Sequence, residues 1–146
     1  MRERIKKHYQ TEQYPTGDCF RTCFACILNK ENVEEIPNFM KFGEKEMDNH
    51  FYKWLKLNNF EYIEVSLKEW MTQHYLPDML CVVIIKNEKH AYGHAVVGRS
   101  YREGGKRYIE LLHNPQRGQG VEDITSEHII SIGFLFKRIM IRGSYD

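Results

Sequence analysis

Net charge is nearly absent from this chain, and so are long apolar runs, internal repeats and low-complexity tracts. Lysine and arginine total 21 against 20 aspartates and glutamates, so no global field draws the molecule toward nucleic acid or an acidic membrane surface. The longest apolar run, 79–85, falls far short of the ~20 residues that a membrane-spanning helix needs. No apolar stretch follows the charged start 1–7, so no secretory signal is expected, and a cytoplasmic location is. Prolines number four and glycines ten, all at plausible turns, and no linker interrupts the 146 residues. One domain, 1–146, is the simplest reading. Cysteine is sparse as well: Cys19, Cys23, Cys26 and Cys81. A chain of this length can bury a core without covalent staples, so reduced thiols are expected rather than a disulfide framework. The basic stretches 2–7 and 137–142 read as solvated surface, and no nucleic-acid partner is expected.

What is present is the composition of an ordinary folded domain, 42% hydrophobic and 13% aromatic. Residues 1–17 look irregular, and Thr16-Gly17-Asp18 supplies a turn with Asp18 as a possible helix cap. Phe20, Cys23, Phe24, Ile27 and Leu28 then recur at helical spacing over 19–29. A short helical turn within 32–39 ends before Pro37. A second helix is expected over 44–58, with a stripe of Met47, Phe51, Trp54, Leu55 and Leu57. Strands are expected over 60–65, 79–86, 91–100, 106–113 and 129–141, with a helical turn in 67–75. The 79–86 stretch is apolar as far as Ile85, as in a central strand, and 102–105 reads as a hairpin turn. Helices first and an antiparallel sheet after them make the expected class α+β.

Four residues carry candidate chemistry. Cys19 falls at the first turn of the expected helix, where free N–H groups and the helix dipole favour a thiolate, so a lowered pKa is expected. Gln13 precedes it across a Pro/Gly turn, and its side-chain amide together with the Cys19 backbone N–H would make an oxyanion site. His94 lies within an apolar, small-residue strand, where a polar ring must be hydrogen-bonded or functional. Asn114 follows the returning strand of the hairpin and would hold the His94 imidazole in one tautomer, while His113 alternates to the other face. Each has a plainer reading: a buried structural thiol, a surface glutamine, a satisfied core histidine and an Asn-Pro turn. Cys23, Cys26 and Cys81 read as small apolar filler. It is the order Gln, Cys, His, Asn that carries the argument.

That order resembles the papain-like cysteine peptidase superfamily. It is similar above all to the compact double-glycine leader peptidase branch, and to small uncharacterised bacterial and phage proteins of the same superfamily. The residues that carry the resemblance are Gln13, Gly17-Asp18-Cys19, His94-Ala95-Val96-Val97 and Asn114-Pro115. It implies a papain-like fold, with N-terminal helices packed on a C-terminal sheet. It also implies a thiol hydrolase with Cys19 as nucleophile, His94 as base, Asn114 as its orienter and Gln13 in the oxyanion site. The leader-peptidase branch usually has Asp where this chain has Asn114, which is the papain-type choice. Phe20-Arg21 replaces the glycine-rich surroundings of that branch, so its substrate preference does not carry over.

The expected reaction is hydrolysis of a peptide, isopeptide or side-chain amide through an acyl-enzyme, with a peptide or protein as substrate and no metal or organic cofactor. Three other readings stand beside it. An inactive papain-like module could bind a host factor, with tyrosines such as Tyr9, Tyr14, Tyr52, Tyr62 and Tyr75 at its interface. Zinc could sit on Cys19 and Cys23 with His90, His94 or His113. The spacing of Cys19, Cys23 and Cys26 also occurs in radical iron–sulfur sites, whose barrel this chain is too short to form.

Overall fold

The structure, a computed structural model, describes residues 4–13, 17–73, 75–87 and 93–138. Three helices and a five-stranded antiparallel sheet make an α+β architecture. The helices are α1 (Cys19–Ile27), α2 (Glu44–Leu57) and α3 (Leu67–Thr72). The strands are β1 (Phe60–Ser66), β2 (Met79–Ile85), β3 (His94–Glu103), β4 (Lys106–His113) and β5 (Ile129–Lys137). Short 3-10 turns occupy Val33–Glu35 and Ser126–His128. The sheet runs β1-β5-β2-β3-β4, so β2 is central.

β2 explains its own composition. Val82 faces a cluster with α1 and α2, whereas Cys81, Val83 and Ile85 face a second cluster around Trp70 of α3. Both faces are covered, so the strand is apolar throughout rather than alternating. On the α3 side, Trp70 Nε1 donates to Ser100 Oγ at 2.9 Å, which satisfies two buried polar groups at once.

α1 is the centre of the other layer. Thr22 through Cys26 are all buried, and no side of the helix middle reaches water. Such a helix must be wrapped. Phe24 and Phe20 meet Phe39, Phe51 and Tyr62 at ring-centroid distances of 4.8–6.5 Å among the aromatic pairs of this cluster. Asn29, at φ +53°, ends the helix, and Lys30 N–H returns to Ala25 O at 2.9 Å. From α2 the stripe buries Phe51, Trp54 and Leu55, but Leu57 is 74% exposed and does not belong to it.

The hairpin β3–β4 turns at Gly104 and Gly105, both at positive φ. Its register then slips: Gly98 pairs with Leu111, but Val97 pairs with His113. Leu112 is thus an extra residue, a β-bulge. The slip sets His113, the last residue of β4, opposite Val97, and Asn114 follows directly after the strand. β3 begins at His94, so the imidazole sits at a strand end rather than within one. Of the expected strand ends, 91–92 and 139–141 lie outside the described residues. Among the described residues no helix is long and apolar enough to cross a membrane.

Gly98 leaves no room for a side chain at the slip. A Cβ there would lie 2.9 Å from Val83 Cγ2 and 3.3 Å from Glu110 O. Gly98→Ala should therefore cost about 1–3 kcal/mol of stability by overpacking. At this chain length each kcal/mol lowers the thermal midpoint by ~2–4 °C, measurable by circular dichroism. An unchanged midpoint would mean that β3 and β4 do not pack in this register.

Candidate active site

Gln13, Cys19, His94 and Asn114 all line one open cleft of about 1220 Å³. Cys19 is the first residue of α1, and the wrapped helix presses its tip against the start of β3. There the backbone amide of Ala95, the residue after His94, favours the charged form of the Cys19 sulfur. The amides of Phe20 and Cys19 itself add to this, as at any helix N-terminus.

These donors do not decide the protonation state. Burial raises the Cys19 thiol pKa, and the Asp18 carboxylate adds to the rise, against the Ala95, Phe20 and Cys19 amides that lower it. The lowered pKa expected from a helix tip is not found, because loss of water around the sulfur outweighs the helix-end field. Cys23, Cys26 and Cys81 are fully desolvated packing residues. Burial pushes Cys26 up to about 11 and Cys81 up to about 12, and Cys23 also well up.

His94 is buried, and its Nε2 lies 2.8 Å from Asn114 Oδ1. Asn114 is itself held at both ends. Its Oδ1 accepts from the Gln116 backbone N–H at 3.0 Å, and its Nδ2 donates to Gly120 O at 3.2 Å. These partners identify which end of the amide is oxygen, so Nε2 must carry the proton it donates. Nδ1 is left as the basic nitrogen. Burial lowers the His94 pKa, partly countered by the Asn114 bond, so the imidazole rests neutral near pH 7. His113 does not join it: its Nε2 lies 2.5 Å from His8 O, and its ring packs edge-on against Tyr9.

The segment before Cys19 is tied down by a group that sequence reading treated only as a cap. Asp18 stands at the N-cap position but makes no capping hydrogen bond. Its buried carboxylate instead accepts from the Thr11 N–H at 2.9 Å, the Glu12 N–H at 3.0 Å and the Thr11 hydroxyl at 2.7 Å. Arg21, one turn along α1, closes the charge with Nε at 3.0 Å and also donates to Ile36 O at 3.1 Å. The sequence signal was the i, i+3 pair of opposite charges at the start of a helix. Gln10 was also missed. It is buried, its N–H donates to Pro115 O at 2.9 Å, and its Nε2 donates to Glu12 O at 3.0 Å. A longer contact of 3.5 Å runs from Gln10 Nε2 to Gln13 Oε1, the carbonyl end of the exposed Gln13 amide. Tyr14, Pro15 and Thr16 of the intervening turn lie outside the described residues.

Among the described residues no group of three or more His, Cys, Asp or Glu side chains could hold a metal ion. Cys23 is fully buried and His113 is committed to His8, which argues against the zinc set drawn from them; His90 lies outside the described residues. Cys19 and His94 share the cleft, and among the described residues no hydrogen bond joins the thiol to the imidazole.

Two outcomes follow. Arg21→Ala should lower stability by about 3–5 kcal/mol in urea unfolding, because it strands the buried Asp18 charge. A loss within a few tenths would show that the three remaining donors suffice. His94 and His113 have pKa values lowered by burial, so below the ordinary imidazole value of 6.5 the unfolded chain binds more protons than the folded one. Their contribution is intact above that value and drains away as pH falls toward the folded-state values. Urea midpoints should decline from about pH 7 to about pH 5, and less steeply in His113→Gln. A flat profile contradicts neutral buried imidazoles.

No family model, no curated protein and no solved structure matches this chain.

Proposed function

We propose that this chain is a papain-like cysteine hydrolase, a single catalytic domain that cleaves a peptide, isopeptide or related amide bond. The observation that carries the reading is the His94–Asn114 bond, which leaves Nδ1 basic in the cleft that holds the Cys19 thiol. In the proposed cycle the Cys19 thiol gives its proton to His94 Nδ1 as the sulfur attacks the carbonyl carbon. The oxyanion is met by the Cys19 N–H and the Gln13 side-chain amide. Collapse expels the amine, which takes the proton from Nδ1. Water then attacks the thioester with Nδ1 as base, releasing the acid and restoring the thiol.

Both pKa directions favour a resting pair of neutral thiol and neutral imidazole over an ion pair. A strong resting nucleophile is therefore absent, and the thiol gives up its proton only as the sulfur attacks the bound carbonyl. The same fact supports the second reading, a papain-like module that binds without cleaving.

Iodoacetamide labelling across pH separates the two. The hydrolase reading expects Cys19 alone to alkylate in the folded protein, and His94→Ala to slow it near neutral pH, where the imidazole is the base that takes the thiol proton. Cleavage of a peptide pool should vanish in Cys19→Ala and fall roughly 10²–10³-fold in Gln13→Ala. A Cys19 profile that ignores His94→Ala defeats the hydrolase reading and leaves the binding module.

A further inference from the structure

One wall of the cleft is built by α2 and β1. Glu44, Asp48 and Tyr52 recur every fourth residue of α2, and Met47 and Phe51 lie one position before the last two, so a single face of the helix borders the cleft. Glu64 and Tyr62 join it from β1. The rest of the lining includes the small or uncharged Gly93, Gly118, Gln119 and Gly120. Around the whole cleft the described lining carries four carboxylates, Glu44, Asp48, Glu64 and Asp123, against Lys86 as the lysine. Lys45 and Lys53 of α2 do not line it. The ion pairs among the described residues are Lys6–Glu31, Arg21–Asp18 and Arg138–Glu61, so none neutralises this wall.

Exposed carboxylates beside an aromatic and methionine surface suit one kind of side chain. Lysine and arginine lay their methylene stems on apolar surface and keep the charged head at its edge. Here the stem would rest on Met47, Phe51 and Tyr62, with the head among Glu44, Asp48 and Glu64 and over the Tyr52 ring. A second observation concerns the main chain of such a ligand. Gln10, only 8% exposed, borders the same cleft, and its Oε1 has no hydrogen-bond donor among the described residues. That oxygen is closed to solvent, so the amide N–H of a bound peptide would supply the donor this acceptor lacks once the Gln10 side chain turns toward the cleft.

We propose that the cleft selects peptide segments bearing a lysine or arginine close to the scissile carbonyl, a preference that rests on Cys19 being the nucleophile. The α2 wall sets the charge preference, and Glu44 and Asp48 are its specificity-determining residues. The glycine-rich lining takes main chain rather than a large side chain.

The test uses three short peptidyl vinyl sulfones that differ at one position: lysine, norleucine or glutamate. Each forms a covalent adduct with Cys19, read by peptide mass mapping at low and high salt. The lysine probe should label about tenfold or more faster than the glutamate probe at low salt, with norleucine between them. Salt should compress the ratio, and the double variant Glu44→Gln/Asp48→Asn should bring it near one. Neutral iodoacetamide should label wild type and the double variant alike, which shows that the site itself is intact. Equal rates for the three probes, or no peptide adduct beside normal iodoacetamide labelling, overturns the substrate preference and leaves the nucleophile standing. Loss of the His94 dependence of iodoacetamide labelling would instead remove the nucleophile reading on which the preference rests.

Discussion

The candidate site depends on the burial of α1. A nine-residue helix whose middle is closed to water has one stable place, between an aromatic layer and the sheet. Phe20 and Phe24 anchor it to Phe39 and Phe51 on one side, while Ala95 and Val97 of β3 and Val82 of β2 take the other. Sliding the helix by a turn would expose these contacts and open a void in a close-packed layer. Its tip therefore stays against the start of β3, and Cys19 stays beside the Ala95 amide.

The environment made by this packing has two consequences for chemistry. Desolvation works against charge on both reacting groups, raising the thiol and lowering the imidazole. The same shortage of water strengthens each hydrogen bond that remains, including the Asn114 contact that assigns the imidazole proton. A neutral resting pair is compatible with acyl transfer so long as charge develops only where donors already point.

Support for the site comes from polar groups that do no chemistry in this scheme. Asp18 collects four donors and fixes the segment carrying Gln13, while Arg21 links that segment to Ile36. Gln10 ties the same segment to Pro115, next to the residue that orients His94. The N-terminal segment and the 114–120 loop are distant in sequence, yet hydrogen bonds join them into one rim. Such a rim holds geometry tightly because each member is buried or paired.

Much of the fold was readable from periodicity. Helical spacing marked α1 and α2, the double glycine marked the hairpin, and the unbroken apolar run of β2 told of two covered faces. Chain order alone also singled out Gln13, Cys19, His94 and Asn114, because few residue types can attack, accept a proton and orient an imidazole. Three things were decided only by tertiary structure. The bulge at Leu112 set His113 opposite Val97, since register depends on cross-strand pairing that no local pattern encodes. The protonation of Cys19 followed burial rather than its position on a helix, since desolvation is a property of the surroundings. The acidic wall appeared only when α2 and β1 packed together along one side of the cleft, because a surface charge acquires its neighbours through folding, not through sequence.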